Sequence, residues 1–294
     1  MAAERAAWMM GHFIGSLPSM SDRVTWTVSD GVADVRLNRA DKMNALDPAM
    51  FSGLAEAGAA IAADPRIRAV VLSGEGRAFC AGLDFGSFQA MAGNDDAGET
   101  ENKGAVGRIS DPLAGKITHL GQQAAWAWQD VPVPVIAAVH GVALGGGCQI
   151  ALAADMRFCT SDAKFSVLEI RWGLIPDMTG THTLTRLVGL DVAKELTFTG
   201  RMVDGDEAVR LGLATRVSAD PLSEALAVAQ DIAGKSPHAI RAAKRLFAVA
   251  PLNSAADQFR LEREEIGQLI GSSNQVESVM AFFQKRPPQF ADPT

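Results

Sequence analysis

Pro134-Val-Ile-Ala-Ala-Val-His-Gly-Val-Ala-Leu-Gly-Gly-Gly-Cys148 is the stretch on which the fold class turns. Val135 to His140 is a short, continuous apolar run with β-branched residues, which predicts a buried strand. It passes through Gly141-Val-Ala-Leu into three consecutive glycines, and a further helix is expected there. Glycine admits positive φ and close approach by a ligand, and the first turn of a helix leaves backbone N–H groups without intrahelical acceptors. A strand that runs into such a turn therefore aims donors outward.

Upstream, a second unit of the same kind is visible. Arg68-Ala-Val-Val-Leu-Ser73 reads as a buried strand, and Phe79-Cys-Ala-Gly-Leu-Asp84 follows as a glycine-bearing turn. Taken singly, either turn does no more than close a tight strand-to-helix connection. Taken together, they can form an oxyanion hole. A phosphate-binding P-loop is excluded, because no Gly-Lys-Ser/Thr follows either cluster.

Outward from these units, Val24 to Val28 and Val32 to Leu37 are expected as strands joined by Ser29-Asp30-Gly31, which carries hairpin turn chemistry. A helix is expected from Pro48 with Asp47 as its cap, and another over Leu113 to Trp128. Short strands follow near Met156 to Thr160 and Lys164 to Val167. Gly93 to Gly107 has little apolar pattern and reads as a mobile loop. From Pro221 to Phe283 nearly everything reads as amphipathic helix. The expected organisation is a disordered N-terminal extension over 1–19, an α/β core over 20–210 and a helical C-terminal region over 211–294, with a soft boundary between Gly200 and Pro221.

Composition narrows the function. The 294 residues are 48% hydrophobic, which describes a well-cored globule. A net charge of −7 argues against a nucleic-acid partner, since such proteins carry a basic face. Cys80, Cys148 and Cys159 form no CxxC pair and the five histidines no HExxH, so neither a disulfide framework nor a metal site is expected, and the expected location is cytoplasmic. No stretch reaches the ~18 uninterrupted apolar residues of a membrane span.

Several ordered motifs then carry a family resemblance. Val35-Arg-Leu-Asn-Arg-Ala-Asp-Lys-Met-Asn-Ala-Leu46, Ala69-Val-Val-Leu-Ser-Gly74, Arg77-Ala-Phe-Cys-Ala-Gly-Leu-Asp84, Pro134 to Cys148 and Ala163-Lys-Phe165 resemble the crotonase, or enoyl-CoA hydratase/isomerase, superfamily over about residues 20–290. The resemblance implies an α/β, crotonase-like fold of repeated ββα units with a helical C-terminal oligomerisation region. It also implies an acyl-CoA thioester as substrate, no further cofactor, and a homotrimer or homohexamer.

By the same resemblance the oxyanion hole is the backbone N–H of Leu83 and of Gly146. A thioester carbonyl gains negative charge as its α-carbon loses a proton, and two fixed donors favour that charge. Acyl-CoA contacts are implied at Met43, Ala45, Ala81, Gly82 and Asp84, with cationic help from Lys42 or Arg77. Phe282 and Lys285 match family tails that reach the nucleotide end from a neighbouring subunit.

Family hydratases carry a glutamate directly after Gly-Gly-Gly-Cys and a second about twenty residues later. This chain has Gln149 at the first position and Glu169 at the second. Gln149 cannot accept a proton at neutral pH, although its amide can orient a water or a substrate group. The segment Glu169-Ile-Arg-Trp-Gly-Leu-Ile-Pro-Asp177 resembles the dienoyl-CoA isomerase branch, which implies proton transfer by Glu169 with Asp177 as partner. Asp177 serves equally well, on its own, as a cap for a helix starting near Thr179. Double-bond isomerisation is the favoured expectation. Hydration by Glu169 with Gln149 orienting water, and a catalytically weak acyl-CoA-binding or assembly protein, are the alternatives.

Overall fold

The computed structural model describes residues 22–84, 86 and 112–293. The expected extension over 1–19 and the expected loop over 93–107 lie outside the described residues.

Strands β1 (Val24–Ser29) and β2 (Val32–Leu37) pair antiparallel, with Ser29 opposite Val32. The two turn residues Asp30 and Gly31 both have positive φ, 50° and 80°, which matches the right-handed twist of the flanking strands. The sheet then grows in parallel through β3 (Ala69–Gly74), β4 (Val135–Val139), β6 (Met156–Cys159) and β9 (Arg216–Val217), giving the order β1-β2-β3-β4-β6-β9. Every residue of β3 and β4 is buried. Unbroken apolar strands are what a parallel sheet covered on both faces requires.

One face packs on helices α1 (Pro48–Ala63) and α2 (Leu120–Asp130), with Met50, Leu54, Ile61 and Trp128 fully or nearly fully buried. The two helices touch closely, because a Cβ on Gly58 would stand 2.5 Å from that of Ala127. Asp47 caps α1 by accepting from Met50 N–H at 2.8 Å, as expected from its sequence position. Helix α2, expected from Leu113, starts at Leu120 instead. Leu113 N–H bonds back to Thr118, and a reciprocal cap between His119 and Gln122 fixes the later start. The other face of the sheet is covered by α7 (Pro221–Ala233), whose Ala225, Ala229 and Ala233 lie against Val32, Val71, Ile136 and Phe158.

A smaller sheet of β5 (Val142–Leu144), β7 (Lys164–Ser166) and β8 (Val203–Asp204) flanks the C-terminal ends of the large sheet's strands. Around it lie α3 (Gly146–Ala153), α4 (Gly180–Val188), α5 (Leu190–Thr199) and α6 (Gly205–Leu211).

Three further helices complete the chain, α8 (Pro237–Val249), α9 (Ala255–Leu269) and α10 (Ser273–Gln284). Helix α9 buries no residue, and with α10 it leaves Phe259, Ile266, Val276, Met280, Phe282 and Phe283 exposed. The tail after α10 folds back on its own chain. Asn274 exchanges two hydrogen bonds with the backbone of Ala291, and Arg68 holds both the Phe290 carbonyl at 2.9 Å and Asp292 at 2.7 Å. Arg68 lies just before β3, at the opposite end of that strand from Gly74.

Helix α4 begins from an uncommon backbone state. Its N-cap, Thr179, holds φ +71° and ψ 4°, and its hydroxyl makes no cap hydrogen bond. Left-handed backbone costs a non-glycine residue roughly 1–2 kcal/mol, and a β-branched residue is an outlier there. Glycine would release that strain but lose about 0.5–1 kcal/mol through the greater freedom of the unfolded chain. Thr179→Gly is therefore expected to leave stability unchanged or raise it by up to ~1 kcal/mol in urea unfolding. A clear loss of stability would show that Thr179 is not strained.

Candidate active site

The site forms where the two glycine turns meet. Cys80 and Ala143 pair as an isolated parallel bridge, with Cys80 N–H on Val142 and Leu144 N–H on Cys80, at 2.9 and 3.0 Å. A second bridge joins Leu46 to Leu83 through Leu46 N–H on Gly82 and Asp84 N–H on Leu46. Three backbone segments are thereby fixed side by side.

Glycine is required at this crossing. Gly82 has φ +86°, and a Cβ on it would lie 2.6 Å from the Leu144 carbonyl oxygen. One on Gly147 would lie 2.5 Å from the Cys80 carbonyl oxygen, and one on Gly146 would lie 2.7 Å from both Leu46 and Met178 side-chain atoms. The result places Leu83 and the first residue of α3 against the same crossing. Among the described residues, neither Leu83 N–H nor Gly146 N–H has a hydrogen-bond acceptor. The partial positive charge at the start of α3 adds to the Gly146 donor. At the other end of α3, buried Arg157 donates to the Ala154 carbonyl at 2.5 Å and sets a cation where the helix end is negative. Burial lowers the Arg157 guanidinium to about 10, so it stays charged at neutral pH.

Asn44 organises the first turn. It is fully buried with φ +55°, its amide donates to the carbonyls of Glu75, Ala78 and Phe79, and its own oxygen accepts from Arg39 N–H at 2.8 Å. Arg39 in turn binds the Ala45 carbonyl at 3.0 Å and Asp84 at 2.8 Å. The Arg39 hydrogen bond, helped by one from Gly86 N–H, holds the Asp84 carboxyl below its ordinary range. Asp84 is thus committed to fixing the turn. Ala81 N–H is likewise taken, by Met43 at 2.9 Å, whereas the Ala81 carbonyl has no partner among the described residues. Lys42 and Arg77 are exposed at the edge of these turns.

The ionisable centre lies beside α3. Glu169 opens a short 3-10 turn, Glu169–Trp172, rather than sitting at a strand end, and it is 9% exposed. Its Oε1 stands 3.5 Å from where a Gly145 Cβ would be, next to the Gly146 donor. Gln149 is fully buried on α3 and donates from Nε2 to Glu169 Oε1 at 2.6 Å. The Gln149 carbonyl oxygen accepts from Met178 N–H at 2.8 Å and from Gly180 N–H at 2.9 Å. Two backbone donors on one end demand an acceptor there, so the amide group must face Glu169. Glu169 Oε2 is buried and has no hydrogen-bond partner among the described residues.

Burial pushes the Glu169 carboxyl up. Hydrogen bonds from its own backbone N–H and from Gln149 pull the other way, and the charge of Asp177 raises it further. Asp177 itself is exposed in the turn before α4. It does not cap that helix, because the N-cap position belongs to Thr179. Phe282 and Lys285, at the end of α10, are not brought to this centre. The tail that follows them is anchored near Arg68, and both aromatic rings, Phe282 and Phe283, face solvent and touch edge to face.

Sequence reasoning named Gln149, Glu169, Leu83 and Gly146, but missed Asn44, Arg39, Arg157 and the Met178–Gly180 turn. Asn44 carried a legible signal, since asparagine is among the few residues that tolerate left-handed backbone. Nothing local marked the others.

The model of the family described as "Enoyl-CoA hydratase/isomerase" matches residues 27–111 and 112–293. A "Probable enoyl-CoA hydratase" of Rhizobium meliloti is 36% identical over 261 residues, covering 87% of this chain and 93% of that one. A mouse "Methylglutaconyl-CoA hydratase, mitochondrial" is 32% identical over 267 residues, covering 88% of this chain and 79% of that one. Among solved structures, an enoyl-CoA hydratase from Bacillus anthracis superposes with a TM-score of 0.79 at 29% identity, covering 91% of this chain and 98% of that one. Joined to two glycine turns that converge on backbone donors beside a buried carboxylate, these likenesses make the chain a member of the enoyl-CoA hydratase/isomerase family of acyl-CoA enzymes.

Proposed function

We propose that this enzyme moves a double bond along an acyl-CoA thioester, with Glu169 as the proton carrier and Asp177 as the second proton-handling group. The observation that carries this reading is the state of Gln149: its oxygen is taken by two backbone donors and one of its N–H groups by Glu169, and among the described residues the site holds one buried carboxylate where a hydratase pair needs two. In the proposed cycle the thioester oxygen accepts hydrogen bonds from Leu83 and Gly146 N–H. Glu169 Oε2 takes a proton from the substrate carbon and the electrons pass to the thioester oxygen. As the double bond re-forms, Asp177 gives a proton to another carbon and the proton on Glu169 passes to solvent or to Asp177. Each backbone donor is worth ~3 kcal/mol of transition-state stabilisation by comparison with other oxyanion holes. Burial helps, because a carboxyl raised toward neutral pH both takes and returns a proton readily.

A second reading is simple hydration, favoured by the names of the relatives. Glu169 then activates water alone, and the second N–H of the Gln149 amide is the group left to orient it.

We also propose that the active form is a homotrimer or a pair of trimers. Exposed apolar side chains on α9 and α10 support a covered interface, and the anchoring of the tail beside Arg68 directs Phe282 and Lys285 away from their own site. The three cysteines are free and buried, which supports a reducing compartment such as the cytoplasm.

On one series of enoyl-CoA thioesters, followed for both double-bond migration and water addition, Glu169→Gln should cost at least ~10²-fold in rate and Asp177→Asn a comparable factor. Rapid hydration without migration, together with an unchanged Asp177→Asn enzyme, would contradict the isomerase reading. Sedimentation at micromolar concentration should give a species three or six times the 31.0 kDa chain. A fully active monomer would remove Phe282 and Lys285 from the site.

A further inference from the structure

Gln149 has a role that neither its position after the glycines nor its chemistry as an amide announces. Its carbonyl oxygen takes the N–H groups on both sides of Thr179, those of Met178 and Gly180. Thr179 is the residue held at φ +71°, with a buried hydroxyl that has no partner among the described residues. The geometry at Gly180 is equally tight, because a Cβ there would stand 2.6 Å from Gln149 Oε1 and 2.9 Å from Pro176. The strained turn therefore leans on one side-chain oxygen. That turn carries Asp177, and its Met178 sulfur stands 2.7 Å from where a Gly146 Cβ would be, over the residue that supplies a hole donor. The other end of the same amide grips Glu169 Oε1 and leaves Oε2 as the oxygen without a partner among the described residues.

We propose that Gln149 is the positioning residue of this site, a single rigid amide that sets the stance of Glu169 and of the Asp177–Gly180 turn together. The proposal rests on the reading of Glu169 as the proton carrier. It assigns Gln149 no proton and no contact with substrate. A neutral amide is what this double task needs: its oxygen satisfies two backbone donors while its nitrogen donates to an ionised carboxylate, which a second carboxylate could do only by carrying a proton. Among the described residues, the titratable groups facing Glu169 are Asp177 on the turn and Cys148 on α3. Burial lifts the Cys148 thiol to about 12, so it stays neutral in the working range.

The test is the pH dependence of kcat/KM for wild type, Gln149→Glu and Gln149→Ala, with unfolding followed alongside. Glu169 must be ionised to take a proton, so activity falls as pH drops through its pKa. Gln149→Glu keeps an acceptor oxygen for Met178 and Gly180 but replaces the amide donor with an oxygen that sets a like charge or a shared proton against Glu169. Its acidic limb should move to higher pH while the fold is kept. Gln149→Ala removes both grips, so the limb should also rise and kcat should fall about 10²-fold, the scale of a displaced reacting group. Adding Thr179→Gly to Gln149→Ala should restore part of kcat, because the turn then needs less support, but leave the limb displaced. If Gln149→Glu and Gln149→Ala both fold and keep the wild-type limb, the positioning role is wrong. Glu169→Gln separates the two ideas. An enzyme that loses turnover with that change, yet keeps its limb when Gln149 is changed, refutes the positioning role alone, whereas full activity in Glu169→Gln refutes the underlying assignment of the base.

Discussion

Backbone lies directly on backbone where the Cys80–Leu83 segment crosses Ala143–Gly147, and the site exists because no side chain intervenes there. The hydrogen bonds between Cys80 and both Val142 and Leu144 lock the two strand exits together, and those between Leu46 and the Gly82–Asp84 turn add a third segment. A single methyl group at Gly82, Gly146 or Gly147 would meet an atom within 2.7 Å. Packing of this density resists adjustment, since overfilling a tight region shifts the backbone around it. The parallel sheet sets where these exits lie, because β3 and β4 end together and both turns follow from their C-terminal ends. Architecture thus becomes chemistry through two N–H groups that, among the described residues, the crossing leaves without acceptors.

Electrostatics then distinguishes this site from one built on two carboxylates. Two close carboxylates in a buried place cannot both ionise, and they titrate as a pair. With Gln149 opposite Glu169, the charge conflict is replaced by a hydrogen bond of 2.6 Å, and burial is the main cause that raises the Glu169 carboxyl above its ordinary range. Asp177 adds a weaker like-charge influence from the solvent side. Family membership establishes the acyl-CoA chemistry, while the choice between moving a double bond and adding water is set by the groups around this one carboxylate.

The strands and both glycine turns were legible because each is a short-range pattern: continuous apolar runs in β3 and β4, and glycines directly after them. The hairpin at Asp30-Gly31 and the Asp47 cap were legible for the same reason. Helix α2 was read as starting too early, since apolar spacing continues upstream of Leu120 and the cap at His119, an uncommon capping residue, carries no familiar signature. Glu169 could be identified, but not its burial, which comes from α3 and the turn before α4. Asp84 resembled a ligand contact, yet its carboxylate is held by Arg39, a partner 45 residues away. Long-range pairings of this kind leave no mark in local sequence, and the bracing of Thr179 by Gln149 across 31 residues to Gly180 is another of them.

On our proposal, the crossing stabilises a thioester enolate and Glu169 exchanges its proton. Hydrogen–deuterium exchange at the α-carbon of a saturated acyl-CoA, followed by mass spectrometry in D₂O, tests this without requiring water addition or double-bond movement. Enzyme-dependent exchange is expected, fading as pH falls through the Glu169 titration and lost in Glu169→Gln. Water addition to an enoyl-CoA by an enzyme that exchanges no α-hydrogen, or exchange undiminished in Glu169→Gln, would overturn this reading.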